Sequence, residues 1–312
     1  MKIVILDAKA VNGGDLSWEE FEKYGCVEVY DSTPGDLTSK RIANADIVYT
    51  NKTVLDRNII LQAENLKFIG VLATGYNVVD INAAKEKNIV VSNIPTYGTM
   101  AVAQAAIALL LEITNRVGLH SDAVSKGAWL EPAPWCFTLA PILQLEGKTM
   151  GIIGYGRIGK ATGRIAQALG LNVIAYSPSA QGDNIVSLDE IYRLSDIIML
   201  HCPQNEKTYK MINDETIAKM KDGVIIVNNS RGGLIDESAL RRGLDSNKIY
   251  AAGLDVVDSE PMKKHNPLLG AERCFITPHI SWQPYECRKK LMDIAVDNLK
   301  AFLQGSPQNV VS

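Results

Sequence analysis

The chain has 312 residues, 46% of them hydrophobic and 21% charged, with a formal net charge of −3. That length and balance suit a globular protein with room for two domains, each with a core of its own. The scattered Lys and Arg are outnumbered by acids, which argues against a nucleic-acid partner, and no apolar run reaches the length of a membrane span.

Met1–Asp7 is too short for a signal-peptide core, and Lys2–Leu6 reads as a first strand. From there the predicted elements alternate: helix Trp18–Tyr24, strand Val27–Tyr30, helix Leu37–Ile42, strand Ile47–Thr50, a helix within Asp56–Glu64, strand Phe68–Leu72, helix Asp80–Lys87, strand Ile89–Ser92. Short strands alternating with helices predict a parallel sheet covered on both faces. The glycine-bearing loop Ala73-Thr74-Gly75-Tyr76-Asn77 follows a strand directly, where such sheets collect ligands. Its N–H groups suit a small anion, and a plain strand-to-helix turn is an equal alternative.

Asn93–Gly98 is turn chemistry and marks a boundary. The following stretch, Thr99–Arg116, is helical and apolar on nearly every side, which predicts burial between domains or between subunits. A more polar helix, Leu119–Trp129, leads into the loop Glu131–Phe137, whose two prolines sit beside aromatics suited to a site or a partner chain.

Met150–Ser177 then reads as strand, glycine turn, helix and strand, with Gly154, Gly156 and Gly159 in the spacing GxGxxG. Gly154 allows the tight turn, Gly156 lets the backbone approach a pyrophosphate, and Gly159 lets the helix pack closely on the strand. The unit as a whole predicts a dinucleotide site. Alternation resumes with helix Leu188–Leu194, strand Ile197–His201, helix Asp214–Met220, strand Val224–Asn228, helix Glu237–Ser246, strand Ala251–Val256 and strand Cys274–Ile276. A C-terminal helix, Leu291–Leu303, and its tail are expected to return to the first domain, making it discontinuous, with no regulatory domain appended.

The five cysteines, Cys26, Cys136, Cys202, Cys274 and Cys287, lack metal-binding spacing and read as free thiols in a reducing cytoplasm. No metal is expected. Cys202 beside His201 has the residues of a nucleophilic pair. Pro203 follows, however, and a strand precedes, so a buried or cofactor-lining thiol is expected.

Four polar residues fall at predicted strand ends: Arg231, Asp255, Glu260 and His279. Hydride transfer to a ketone needs a cation for the substrate carboxylate, a proton donor for the nascent alkoxide, and a partner tuning that donor. Arg231 fits the first role through a bidentate guanidinium, and His279 the second. Glu260, if bonded to His279, would raise its pKa. Pattern alone leaves duller roles open: a capped loop for His279, a helix C-terminus for Arg231 and a solvated turn for Glu260.

These segments closely resemble the D-isomer-specific 2-hydroxyacid dehydrogenases over essentially the full length. The resemblance rests on Gly147–Gly151 leading into Gly154–Gly159, on Ala45–Val48, Ser195–Pro203, Met220–Asp236 and Gly253–Val256, and on Ser259-Glu260-Pro261 and Thr277-Pro278-His279. Within the family, Thr50–Thr53, Gly70–Asn77, Asn115–His120 and Leu291–Ala295 look most like the glycerate dehydrogenase (hydroxypyruvate reductase) branch. The resemblance implies an α/β fold of two doubly wound parallel-sheet domains. A Rossmann NAD-binding domain, residues 99–282, would be inserted into a discontinuous flavodoxin-like substrate domain, residues 1–98 and 283–312.

It further implies catalysis by Arg231, Glu260 and His279. Arg231 and His279 would hold the substrate together with the N–H groups of Ala73, Thr74 and Gly75. NAD would lie on Gly154, Gly156, Arg157, Ile158, Gly159, Ser177, His201, Cys202, Pro203, Thr208, Asn229, Ser230 and Asp255, with Asp255 close to the nicotinamide. A cytoplasmic homodimer built on the long helix near Thr99–Arg116 and the loop after it is implied too.

Two departures stand out. Ser177 replaces the Asp usual in NAD-preferring members, which loses the grip on the ribose hydroxyls, yet Ser177–Ala180 offers no Arg or Lys for a 2′-phosphate. The expected cofactor is NAD, with NADP admitted. The loop Pro132–Phe137 also departs from the branch. The expected activity is reversible NADH-dependent reduction of hydroxypyruvate to D-glycerate, with glyoxylate a second substrate. Reduction would need protonated His279 and weaken as pH rises, and oxidation would show the opposite trend. Another D-2-hydroxyacid dehydrogenase, or an NAD(H)-sensing corepressor-like protein, are the alternatives.

Overall fold

The computed structural model describes residues 1–312. The chain divides into two compact units, one of Met1–Gly98 with Gln283–Ser312, the other of Thr99–Trp282.

The first unit is built from β1 (Lys2–Ile5), α1 (Glu19–Glu22), β2 (Cys26–Val29), α2 (Gly35–Ile42), β3 (Ile47–Thr50), α3 (Arg57–Gln62), β4 (Phe68–Val71), α4 (Ile81–Glu86) and β5 (Val90–Ser92). Its five strands are all parallel, in the order β2-β1-β3-β4-β5. That is the flavodoxin-like order, with its direction of winding reversing between β1 and β3. β3 and β4 are buried at every position, as strands covered by helices on both faces must be. Asp56 and Asp80 cap α3 and α4 by accepting the N–H of Ile59 and Ala83. Each such cap stabilises its helix by about 1 kcal/mol.

The second unit contains α5 (Thr99–Asn115), α6 (Val117–Ser125), β6 (Thr149–Ile153), α7 (Arg157–Ala168), β7 (Asn172–Tyr176), α8 (Leu188–Leu194), β8 (Ile197–Leu200), α9 (Asp214–Lys219), β9 (Val224–Asn228), α10 (Glu237–Asp245), β10 (Ile249–Leu254) and β11 (Cys274–Ile276). Its parallel sheet runs β11-β10-β9-β8-β6-β7, and Ile185 bridges Ala175 outside β7 as a vestigial further strand. Counting Ile185, this is the Rossmann order, with the switch between β6 and β8.

The last helix, α11 (Tyr285–Leu303), belongs to the first unit. Tyr49 donates its hydroxyl to the Ala295 carbonyl, Phe68 packs on Phe302 with centroids 4.9 Å apart, and Val311 N–H bonds the Val91 carbonyl. This helix begins six residues before the predicted start. Its first turn, Tyr285–Arg288, looks polar in sequence, but Arg288 is buried and grips both oxygens of Asp15 at 2.7 Å.

One further boundary changes. The predicted second helix of this region runs Val117–Ser125, ending four residues before Trp129. Within its own unit α5 buries Ala103, Ala106, Leu110 and Ile113, with Leu109 against Gly253 of β10, and leaves Met100 exposed. No single helix is long and apolar enough to cross a membrane.

Candidate active site

The glycine turn after β6 carries three glycines with three different constraints. Gly154 has φ +99, and a Cβ there would lie 2.4 Å from the Cys202 nitrogen. A Cβ on Gly159 would lie 2.2 Å from the Gly154 carbonyl oxygen, so only glycine lets α7 start this close to the strand. Nothing stands within 4 Å of a Cβ at Gly156, where the backbone is open to approach. The N–H groups of Tyr155, Gly156 and Ile158 have no acceptor in the protein. Free donors at the start of a 12-residue helix, beside an open glycine, fit a dinucleotide pyrophosphate.

Across the switch, β8 ends at Leu200 and leads into His201-Cys202-Pro203. His201 Nε2 lies 2.9 Å from the Thr162 hydroxyl on α7, while Nδ1 is shut from solvent without a partner. The residue as a whole is half-buried, but enclosure of its ring pushes the pKa down to about 4, so it is neutral at neutral pH. Cys202 is buried, its Sγ 3.8 Å from Met211 Sδ, and burial pushes the thiol up to about 11. A thiol so rarely ionised is no nucleophile. Thr208 ties its own loop by donating to the Pro203 carbonyl at 2.8 Å, and Ser177 is half-buried just past β7.

β9, β10 and β11 are neighbours, and their carboxyl ends bear the remaining polar groups. Beyond β9, Asn229 donates to the Val102 carbonyl and its Oδ1 is buried without a partner, while Ser230 donates its hydroxyl to the Leu200 carbonyl. Arg231 follows, exposed, its carbonyl held by Asn228 Nδ2 at 2.8 Å. A Cβ on Gly232 would lie 2.0 Å from the Val257 carbonyl carbon, so this turn lies directly against the loop after β10. That loop carries Glu260, whose Oε2 is 2.6 Å from His279 Nδ1. Both side chains are partly open, at 33% and 26% exposure. With Nδ1 occupied, Nε2 is the nitrogen left for a substrate.

His279 sits at φ +56, a conformation costing a non-glycine residue about 1–3 kcal/mol. Asp255, one residue past β10, provides the compensation. Its buried carboxylate accepts the Thr277 hydroxyl at 2.6 Å and the N–H groups of Ile280 and Ser281 at 2.8 Å, and its carbonyl accepts the His279 N–H at 2.8 Å. Charge-assisted hydrogen bonds contribute roughly 1.5–3 kcal/mol each, so three of them outweigh the strain. The resemblance implies a place for Asp255 close to the nicotinamide. Its carboxylate is engaged by the loop that carries His279.

In the first unit, Ala73, Thr74 and Gly75 follow β4. Thr74 donates its hydroxyl to the Ile94 carbonyl and its own carbonyl accepts Asn93 Nδ2, which pins the loop. The N–H groups of Thr74, Gly75 and Tyr76 have no acceptor in the protein, as an anion-binding loop requires. One residue of this description carried no sequence signal, Thr162, because its partner His201 lies 39 positions away.

Residues 107–281 match the family model described as "D-isomer specific 2-hydroxyacid dehydrogenase, NAD binding domain". Over the full length of both chains, the protein is 57% identical to a hydroxypyruvate reductase of Blautia hydrogenotrophica. It is 38% identical to a glycerate dehydrogenase of Methylorubrum extorquens, across 99% of this chain and 98% of that one. Among solved structures, an acyclic imino acid reductase in complex with NADPH and D-Arg superposes with a TM-score of 0.85 at 31% identity, covering all of both chains. With this fold, this glycine turn and this strand-end row, the chain belongs to the D-isomer-specific 2-hydroxyacid dehydrogenases and carries their NAD-binding domain.

Proposed function

We propose that the protein is a hydroxypyruvate reductase, catalysing hydroxypyruvate + NADH + H⁺ ⇌ D-glycerate + NAD⁺, with glyoxylate as a second substrate. The observation that carries this is the 2.6 Å Glu260–His279 pair, with Arg231 past the end of the adjacent strand β9, in a chain 57% identical throughout to a hydroxypyruvate reductase. Bound on the Gly154–Gly159 turn, NADH supplies the hydride. Arg231 holds the substrate carboxylate and carbonyl oxygen and stabilises charge developing on that oxygen. The N–H groups of the Ala73–Gly75 loop are suited to a substrate carboxylate. Glu260 fixes the His279 ring through Nδ1, so that Nε2 delivers its proton to the carbonyl oxygen and takes it back in the reverse direction. Asp255 acts on the chemistry by keeping His279 in place.

NADH is the preferred donor. Ser177 gives the ribose no carboxylate and a 2′-phosphate no cation, so discrimination against NADPH is weak.

We place a homodimer on the exposed side of α5, on α6 and on the loop after it. α6 buries no residue, and Trp129, Leu130, Trp135 and Leu139 stand open, Trp135 at 92% exposure. Apolar area of that kind marks an interface with another chain. The five cysteines are all unpaired, in keeping with the cytoplasm.

Supplied with NAD⁺, the purified protein is expected to oxidise D-glycerate at least ~100-fold faster than L-glycerate, because a substrate gripped at both carboxylate and hydroxyl presents only one face of its carbon. Equal rates with the two enantiomers, followed by absorbance at the reduced-cofactor band, would contradict the assignment.

A further inference from the structure

The first unit holds a second loop at the same edge of its sheet as Ala73–Gly75, and that loop is filled from inside. Asp7, just past β1, is buried, at 6% exposure. Its carboxylate accepts the N–H groups of Asn51, Lys52 and Thr53 at 2.8, 2.5 and 2.7 Å, and the Thr53 hydroxyl at 3.2 Å. Successive backbone N–H groups converging on one point form a cradle for an anion. Here the chain's own carboxylate occupies it.

The filled loop is tied to the neighbouring one. Asn51 Nδ2 donates to the Leu72 carbonyl at 2.6 Å, Leu72 N–H donates to the Thr50 carbonyl at 2.8 Å, and the Thr50 hydroxyl donates to the Thr53 carbonyl at 2.7 Å. β1, β3 and β4 are adjacent strands, so these bonds run across the carboxyl edge of the sheet. The two loops then differ in one respect. The donors after β3 are all taken by Asp7, and those of Thr74, Gly75 and Tyr76 after β4 are not taken by the protein.

We propose that Asp7 is a positioning residue for substrate binding. By filling the cradle of Asn51–Thr53 it removes a competing anion site, and through Asn51 it holds the Leu72–Gly75 loop so that its N–H groups meet the substrate carboxylate. This rests on the role given above to Ala73–Gly75.

The test is Asp7→Asn, which keeps the size of the side chain but turns an –NH₂ donor onto a cluster of donors. Loss of a charge-assisted anchor of this kind is expected to raise KM for hydroxypyruvate about tenfold. The turnover number should stay within about twofold and KM for NADH should not change, the pattern of a lost binding contact. If Asp7→Asn does not accumulate folded, Asn51→Ser, which cuts the link to Leu72 and leaves the cradle intact, is expected to raise KM for hydroxypyruvate in the same way. An unchanged KM, or a fall in turnover alone, would overturn the proposal and leave Asp7 a purely structural residue. Wild-type turnover in the same assay separates the two ideas. Hydroxypyruvate turnover with an unmoved Asp7→Asn KM defeats the positioning role alone, whereas no wild-type turnover defeats both.

Discussion

Replacing His279 by glutamine is expected to lower the turnover number for hydroxypyruvate by roughly 10²–10⁴-fold, the usual contribution of a general acid, with NADH affinity unchanged. Glutamine can still bond Glu260 but has no proton to give at neutral pH. The fold should tolerate the change, because the loop is held by groups other than the imidazole. Asp255 takes Thr277, Ile280 and Ser281 through its carboxylate and the His279 N–H through its carbonyl. Steady-state rates, paired with NADH titration by fluorescence, separate the two effects. Near-normal turnover in a variant that binds NADH normally would remove His279 from the proton-donor role.

Arg231→Lys should be nearly as damaging despite keeping the charge. A guanidinium offers two parallel N–H groups to a carboxylate and a further one to the carbonyl oxygen, and an ammonium offers a single point of charge. The expected loss in kcat/KM for hydroxypyruvate is about 10²–10³-fold, or roughly 3–4 kcal/mol of transition-state stabilisation. Local structure does not depend on the guanidinium. Asn228 holds the backbone carbonyl of residue 231, and Nη1 donates only to the adjacent Ser230 carbonyl. KM for NADH should therefore stay the same. A loss below about fivefold, where a bidentate contact should cost far more, would show that Arg231 does not grip the substrate.

Parts of this site were legible in the sequence because backbone geometry dictated them. Gly154, Gly156 and Gly159 each answer a separate steric demand, and the demands occur in order along one short segment. Arg231, Glu260 and His279 could be singled out because strand ends can be read from apolar runs, and parallel strands place such ends on one edge. The Glu260–His279 bond itself could only be conjectured, since 19 residues separate the partners.

What escaped the sequence depends on distant partners. Nothing local marks Asp7, whose acceptor role is defined by amides 44 to 46 positions later. The first turn of α11 reads as polar surface until Asp15 is seen against Arg288. Which residues of α5 face the sheet of their own unit is not written in a composition that is apolar throughout. The loop at Pro132–Phe137 departs from the branch, and its Trp135 is almost fully open in the isolated chain.

The measurement that tests the account most directly is kcat/KM with NADH for hydroxypyruvate against glyoxylate, pyruvate and 2-ketogluconate, repeated with NADPH. Hydroxypyruvate is expected to lead and glyoxylate to follow, with NADH serving better than NADPH by a modest factor. A different ketoacid in first place would contradict the substrate assignment and direct attention to the Pro132–Phe137 loop. Tight NADH binding with no turnover of any of the four would contradict catalysis itself.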